Sequence, residues 1–245
     1  MRSRKQPLSI SPLSPTESPK PSAVIFDMDG VLVDSNPFHL AKWIAFLSER
    51  GILFDRDQLP ALIFGQRNDA VLRRFLGEDL RRAESRRMSE ELEARFREVF
   101  RPHARPLPGL RALMDECVEA GIPLALASSA MRKNVDFVVE ALGIAPRLKA
   151  VISGDAISRA KPDPEIYLLA AQRLGVDPAS AVAFEDSFVG IKAVCRAGMK
   201  CVAIASSFSV ERLRTETDAD CVVQSFEETT LEALRRLFDA AELER

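Results

Sequence analysis

The sequence predicts an α/β protein with a doubly wound, mostly parallel sheet and an inserted all-helical cap. Short apolar segments alternate with amphipathic helical patterns along most of the chain. One long stretch, residues 36–104, contains helical patterns and no convincing strand. Alternation of strands and helices is typical of a parallel sheet with helices on both faces, and the helical stretch indicates an insertion.

The predicted sheet is built from six short apolar segments, bounded by turn residues and too short for helices. These strands are Ala23–Phe26, Pro123–Ala127, Ala150–Ser153, Ala181–Phe184, Lys200–Ala205 and Cys221–Gln224. The helices predicted between and after them are Leu110–Ala120, Lys133–Leu142, Pro164–Leu174, Gly190–Arg196 and Glu227–Glu242. Asn134, near the start of one of these helices, is interpreted as a helix cap.

Two proline-containing links, Ser35-Asn36-Pro37 and Arg105-Pro106-Leu107-Pro108, bound the insertion. The domains predicted are therefore a core of residues 23–35 and 105–245 and a cap of residues 36–104. Inside the cap the helical patterns are Pro37–Arg50, Arg56–Ile63, Asn68–Leu76 and Arg82–Phe100. Residues 1–22 are rich in Ser and Pro and are predicted to be a disordered tail, with a transit peptide as the alternative.

Composition narrows the classes of function. Lys and Arg number 34 against 36 Asp and Glu, which argues against nucleic-acid binding through bulk charge. Apolar runs fall far short of the about 20 residues that a membrane helix needs. Four scattered cysteines fit a reducing cytoplasm, and only two histidines argue against Ser-His-Asp catalysis and histidine-rich metal sites. We expect a cytoplasmic monomer without nucleic-acid or membrane partners.

Polar side chains follow four of the predicted strands, directly or after a loop. They are Asp27 and Asp29, Ser128 and Ser129, Lys161, and Glu185 with Asp186. Each group alone is weak evidence, because acids and serines are common in turns and helix caps. Open α/β sheets bind ligands beyond the carboxyl ends of their strands, so together these groups indicate one site.

The residue types in this group suit magnesium and phosphate chemistry. Three acids near one point repel each other unless a cation offsets their charge. Ligation by oxygen, with no His or Cys nearby, suits Mg²⁺. Lys161, a Ser hydroxyl and backbone N–H groups at a helix start can bind an anionic phosphoryl group.

Four segments resemble the motifs of the haloacid dehalogenase superfamily, in the family's order. Asp27-Met28-Asp29-Gly30-Val31-Leu32-Val33-Asp34-Ser35 is similar to the first and Leu126-Ala127-Ser128-Ser129 to the second. Lys161-Pro162-Asp163-Pro164-Glu165-Ile166-Tyr167 resembles the third, and Phe184-Glu185-Asp186-Ser187-Phe188-Val189-Gly190-Ile191 the fourth. The resemblance covers roughly residues 23–225. It points to the β-phosphoglucomutase-like phosphatases and a Rossmann-like core.

This resemblance implies a role for each matching residue. Asp27 would attack phosphorus and form an aspartyl-phosphate, while Asp29 would protonate the leaving oxygen and then deprotonate water. Ser128 and Lys161 would hold the phosphoryl group, with Ser129 beside them. Mg²⁺ would bind the residues Asp27, Asp29 (through its carbonyl oxygen) and Asp186, supported by Glu185.

The cap is expected to choose the substrate. Gly65-Gln66-Arg67-Asn68 resembles the family's substrate loop, where β-phosphoglucomutases carry an arginine for the non-transferring phosphate. In the preferred register Asn68, not Arg67, matches that arginine, which argues against a mutase that handles a bisphosphate. A register shifted by one residue would match Arg67 instead, and the alternative for Arg67 is an ordinary surface residue. His39 and Trp43 share one helix face; the family resemblance implies that His39 gates the leaving-group acid, and cap packing is the alternative.

The function expected is a Mg²⁺-dependent phosphomonoester hydrolase acting on a small phosphorylated metabolite, such as a sugar phosphate. The second acid, Asp29, and the acidic fourth motif favour phosphate chemistry over dehalogenation. A sugar phosphomutase of the β-phosphoglucomutase type is the alternative. A non-catalytic binding protein on the same scaffold is a third hypothesis.

Overall fold

The computed structural model describes residues 21–239. Of the tail predicted to be disordered, residues 1–20 lie outside the described residues. Ser22 is described, and its backbone N–H donates to the Ser180 carbonyl oxygen at 2.8 Å. Ser22, one residue before the first strand, is therefore already hydrogen-bonded to Ser180, one residue before the strand Ala181–Glu185.

A six-stranded parallel sheet forms the centre of the molecule, which confirms the predicted α/β class. Its strands are β1 (Ala23–Phe26), β2 (Leu124–Ala127), β3 (Leu148–Ile152), β4 (Ala181–Glu185), β5 (Lys200–Ile204) and β6 (Cys221–Val223). Their order across the sheet is β3-β2-β1-β4-β5-β6. The chain crosses from one half of the sheet to the other between β3 and β4. The crevice at this reversal, beside β1, is where open sheets bind ligands.

Strand side chains alternate between two faces of different character. Phe26, Leu126 and Phe184 lie on one face with other large apolar residues. Ala125 and Ala183 lie on the opposite face, which is rich in alanine. Both faces are buried, as expected when helices cover a parallel sheet on both sides.

Six helices cover the two faces. The face with large side chains packs against α5 (Leu110–Glu119), α6 (Arg132–Leu142) and α10 (Leu231–Asp239), and the alanine-rich face packs against α7 (Glu165–Leu174), α8 (Phe188–Arg196) and α9 (Val210–Glu216). Glycines in the left-handed conformation end α6 at Gly143 and α7 at Gly175.

Several details differ from the sequence expectation. The short helix α9, capped by the Ser209 hydroxyl, was not predicted, because its seven residues are mostly polar. The last helix begins at Leu231 rather than Glu227, after an extended Thr229, and residues 240–242 of that prediction lie outside the described residues. Asn134 does not cap α6: the cap position is Met131, and the Asn134 side chain is buried.

Four helices lie between β1 and α5, as predicted for the insertion. They are α1 (Asn36–Ser48), α2 (Leu59–Ile63), α3 (Asn68–Leu76) and α4 (Arg82–Phe100). The insertion has its own apolar cluster, in which Trp43, Leu47 and Leu72 are buried. Helix α2 is shorter than predicted, and its first turn contains Pro60, a position that tolerates proline. In the described part of the chain, no helix combines the length and apolar character needed to cross a membrane.

Candidate active site

A cleft of about 1000 Å³ lies between the carboxyl edge of the sheet and the helical insertion. Asp27, Asp29 and Ser128 line it from the core, and His39 and Trp43 line it from α1. Asp27 follows β1 and Ser128 follows the neighbouring strand β2, which places both at the same edge. Lys161, Glu185 and Asp186 are buried next to Asp27.

Lys161 is the central cation of this buried group. Its Nζ donates to Asp27 Oδ1 at 2.7 Å and to Glu185 Oε1 at 2.5 Å, and lies 3.2 Å from the Tyr167 hydroxyl. Burial on its own lowers the pKa of Lys161, but the Asp27 and Glu185 carboxylates raise it above its usual value. Lys161 therefore stays charged and holds Asp27 in place.

Glu185 has partners for both of its oxygens. Oε1 accepts from Lys161 and from the Tyr167 hydroxyl at 2.9 Å. Oε2 accepts from the backbone N–H of Asp186 at 2.8 Å and of Ser187 at 2.9 Å, and from the Ser187 hydroxyl. Burial raises the pKa of Glu185, but Lys161 and these bonds outweigh burial and lower it. Glu185 thus orients Lys161 and the Asp186 backbone. Support of a metal ion by Glu185 stays a prediction.

The three buried carboxylates carry more charge than one ammonium group can offset. Oxygen atoms of Asp27, Glu185 and Asp186 all lie within 4.8 Å of one another. Burial, together with the Glu185 and Asp27 charges, raises the pKa of Asp186 well above its usual range. Burial also raises the pKa of Asp27 to about 7, against the attraction of Lys161. A divalent cation would relieve this excess of negative charge, so the residues fit a Mg²⁺ site.

Two glycines allow the close packing around these acids. A Cβ atom on Gly30 would lie 2.1 Å from Asp186 Oδ2, and one on Gly190 would lie 1.7 Å from Glu185 Oε1. Gly30 also has a φ of +76°, which side-chain-bearing residues rarely adopt. Any larger residue at either position would displace a carboxylate of the site.

Asp29 is held separately from the buried cluster. Its Oδ1 accepts from the Ser35 hydroxyl at 2.5 Å and lies 3.1 Å from His39 Nε2. Its side chain retains 19% exposure, and it lines the cleft. Asp29 is therefore positioned by a core residue and a residue of α1 to meet a ligand in the cleft.

The remaining predicted residues also line the cleft, but their polar groups are hydrogen-bonded to other residues of the protein. The Ser128 hydroxyl accepts from the Ala130 N–H at 3.1 Å, and the Ser129 hydroxyl donates to the Gly65 carbonyl oxygen at 2.9 Å. The Arg67 guanidinium pairs with Asp69 at 3.0 Å and donates to the carbonyl oxygens of Gly154 and Ile157. Asn68 donates to Glu93 at 2.6 Å. Substrate contacts by these four predicted residues stay predictions.

Several residues with clear positions at the site were not predicted. Asn36 donates to Asp186 Oδ2 at 2.7 Å, and the Ser207 hydroxyl bonds to the same oxygen. Ser207 follows β5, so the strand-end rule could have found it. Tyr167, Lys42 and Glu93 lie on helices, where the sequence pattern carries no sign of their contacts.

A buried acid is bonded to a lysine at the switch point of a parallel sheet, beneath a helical insertion. This is the arrangement expected for the hydrolase superfamily that the sequence motifs resemble. The chain matches the haloacid dehalogenase-like hydrolase family over residues 21–198 and belongs to that family.

The proteins similar to this chain include a named phosphatase and a named phosphomutase. It is 33% identical over 190 residues to the phosphorylated carbohydrates phosphatase of Thermotoga maritima, covering 73% of this chain and 82% of that protein. It is also 33% identical over 199 residues to Protein SUPPRESSOR OF QUENCHING 1, chloroplastic of Arabidopsis thaliana, covering 78% of this chain but only 18% of that longer protein. The crystal structure of β-phosphoglucomutase from Clostridium difficile superposes with a TM-score of 0.80 at 27% identity, covering 91% of this chain and 99% of that one.

Proposed function

We propose that this protein is a Mg²⁺-dependent phosphomonoester hydrolase that works through an aspartyl-phosphate on Asp27. The observation that carries the proposal is the buried Asp27 carboxylate, bonded to Lys161 at 2.7 Å, with Asp29 two residues further on at the same cleft. One acid is placed to act as a nucleophile and the other to transfer protons.

The reaction has two halves. In the first, an Asp27 oxygen attacks phosphorus, the bond from phosphorus to the leaving oxygen breaks, and that oxygen takes a proton from Asp29. In the second, Asp29 takes a proton from water, the resulting hydroxide attacks phosphorus, and the bond to Asp27 breaks. Inorganic phosphate leaves, and both acids return to their starting state. Lys161 offsets negative charge on the transferring group throughout.

Mg²⁺ would be held by the Asp27 carboxylate, the Asp29 carbonyl oxygen and Asp186. When bound, it would reduce the repulsion between an anionic nucleophile and an anionic phosphate ester. Asn36 and Ser207, which both contact Asp186 Oδ2, orient that carboxylate. Gly30 has no side chain, which allows that carboxylate to pack against its backbone.

The cleft suits a small polar metabolite. Its volume of about 1000 Å³ exceeds that of a phosphate ion, and its cap side presents Asn68, Ser89 and Trp43. Polar groups and an aromatic ring are suited to a polyhydroxylated molecule such as a sugar phosphate. The similarity to the Thermotoga maritima phosphorylated carbohydrates phosphatase supports this class.

The cap loop favours hydrolysis over a mutase reaction. A mutase must also bind the phosphate that is not transferred, yet the Arg67 guanidinium is occupied by Asp69 and two carbonyl oxygens. Asn68 is occupied by Glu93. The similarity to a β-phosphoglucomutase structure keeps the mutase as the second candidate. The location in the cytoplasm and the monomeric state stay predictions.

The proposal is tested with p-nitrophenyl phosphate and a panel of sugar phosphates, with and without Mg²⁺. We expect Mg²⁺-dependent phosphate release that is lost in Asp27→Asn and kept in Lys192→Met, a variant of an exposed lysine on α8. No release by the wild-type protein, or full activity in Asp27→Asn, contradicts the proposal. Faster formation of glucose 6-phosphate than of free phosphate from β-glucose 1-phosphate and a trace of bisphosphate indicates the mutase.

A further inference from the structure

The His39 side chain is held on three sides. Its Nε2 lies 3.1 Å from Asp29 Oδ1, and its Nδ1 lies 3.0 Å from Lys42 Nζ. Its ring stacks on Phe96, with centroids 3.9 Å apart and planes 14° apart. The stack fixes the plane of the imidazole, and the two nitrogen contacts fix its rotation within that plane.

The Lys42 contact determines the direction of the hydrogen bond to Asp29. An ammonium group has three donors and no acceptor, so His39 Nδ1 must accept from Lys42. The ring proton is then on Nε2, which donates to Asp29 Oδ1. Lys42 therefore orients the one cap side chain that hydrogen-bonds to Asp29 among the described residues.

Lys42 is in turn held by Glu93 on α4. Its Nζ lies 2.5 Å from Glu93 Oε1, and the two side chains are 6% and 5% exposed. Asn68 donates to the same oxygen at 2.6 Å. A buried pair with this many partners has little freedom, so the position of Lys42 depends on that of Glu93.

The chain of contacts ends in the core at Asn134. The Asn134 amide donates to Glu93 Oε2, and its carbonyl oxygen accepts from Arg97 at 2.5 Å. Asn134 is fully buried on α6, while Glu93 and Arg97 are four residues apart on α4. One core amide thus contacts two cap residues, and it can do so only when the cap lies against the core.

We propose that Lys42, Glu93 and Asn134 are positioning residues that place His39 against Asp29 when the cap is closed. The role rests on the proposed function, because it acts on the acid that protonates the leaving oxygen. A positioning role does not require Lys42, Glu93 or Asn134 to contact substrate. Their loss should impair proton transfer by Asp29 while leaving Asp27 and Lys161 intact.

The test uses the leaving group as the reporter. p-Nitrophenolate leaves without needing a proton, whereas a sugar alkoxide must be protonated. Phosphoryl transfer to Asp27, the step that kcat/KM reports, therefore depends strongly on Asp29 only for the sugar phosphate. For Lys42→Met and Asn134→Ala at saturating Mg²⁺, we expect kcat/KM to fall at least tenfold more for the sugar phosphate than for p-nitrophenyl phosphate. Lys192→Met is the matched control and should change neither.

A double-mutant cycle separates positioning from general damage. If Lys42 acts through His39, Lys42→Met should cost little further in a His39→Ala background, whereas a purely structural loss would be the same in both. Glu93→Gln should resemble Asn134→Ala, since an amide has one acceptor oxygen and cannot accept from both Lys42 and Asn134.

The positioning role is contradicted if kcat/KM falls equally for both substrates, or if the losses in the double-mutant cycle are additive. In either case, turnover by the wild-type protein would still support the proposed hydrolase. A wild-type protein that hydrolyses neither substrate overturns both.

Discussion

Lys161 Nζ and Asp27 Oδ1 lie 2.7 Å apart in an ion pair whose two side chains are 0% and 5% exposed. The lysine comes from the loop that precedes α7 and the aspartate from the end of β1, 134 residues away in sequence. The pair therefore connects the proposed nucleophile to the helix layer on the alanine-rich face. Its geometry depends on the sheet and on α7 together.

Replacing Lys161 with Met should impair both folding and activity. The change would leave Asp27, Glu185 and Asp186 together without their ammonium partner. Breaking a buried pair in this way costs roughly 3–5 kcal/mol, and losing a charge-stabilising donor costs roughly 10²–10³ in kcat. Urea unfolding at pH 7 and steady-state kinetics measure the two effects. Lys149→Met, at an exposed position, is the control; a Lys161 variant as stable as that control would contradict the role of the pair.

Asp27→Asn should stabilise the metal-free protein. The pKa of Asp27 is raised from 3.8 to about 7 by burial, so the folded state loses stability as pH rises between these two values, in total roughly 4 kcal/mol. The penalty is absent below pH 3.8, is complete above about pH 7, and does not exist in the Asn variant. Calorimetry at pH 8 in EDTA should show the variant melting several degrees higher.

Addition of Mg²⁺ should reverse that order, because the cation offsets the charge of Asp27 in the wild-type protein and stabilises the folded state by binding it. The increase in Tm on adding Mg²⁺ should be larger for the wild-type protein than for Asp27→Asn. A variant that melts lower than the wild-type protein in EDTA would contradict the excess negative charge inferred for the site.

The parts of the site that could be predicted lie at strand ends. Asp27, Ser128 and Asp186 follow β1, β2 and β4, which are neighbours in the sheet, so an apolar segment followed by a polar residue was enough to place them together. Lys161 follows β3 only after a loop, so its place in this group was weaker evidence, and its role came from the motif resemblance. The same rule applied to β5 would have found Ser207.

The cap contacts could not be predicted in the same way. Lys42 and Glu93 lie on two helices, 51 residues apart in sequence, and charged residues on amphipathic helices usually face solvent. Only the packing of α1 against α4 shows that these two are buried. Tyr167 was equally hidden, because it occupies an ordinary apolar position of α7.

Glu93 should contribute to acid stability. Burial raises the pKa of its carboxyl, but Lys42 and Asn68, among other groups, outweigh burial and lower it from 4.5 to about 2. A lowered pKa gives stability that is fully present above pH 4.5 and is lost as pH falls through about 2, in total roughly 3 kcal/mol. Glu93→Gln lacks this contribution. The difference in unfolding free energy between the two proteins, measured by urea titration, should shrink as pH falls from 5 to 2.5; a constant difference would show that the pKa of Glu93 is not lowered.

Gly190→Ala should destabilise the protein and disturb its chemistry through Glu185. The new Cβ would lie 1.7 Å from Glu185 Oε1, a distance that requires the carboxylate to move. Overpacking of a buried site costs roughly 1–3 kcal/mol, and movement of Glu185 would also shift Lys161, which it contacts at 2.5 Å. At an ordinary helix position, replacing glycine with alanine raises the free energy of unfolding by about 1 kcal/mol. Gly190→Ala should show this gain only if Glu185 can move away at no cost. Lys192→Ala, at an exposed position two residues further along α8, is the control and should keep both Tm and kcat. Thermal unfolding and phosphate release by the two variants therefore decide whether Gly190 is needed for the close approach of Glu185, and an unchanged or raised Tm in Gly190→Ala would show that it is not.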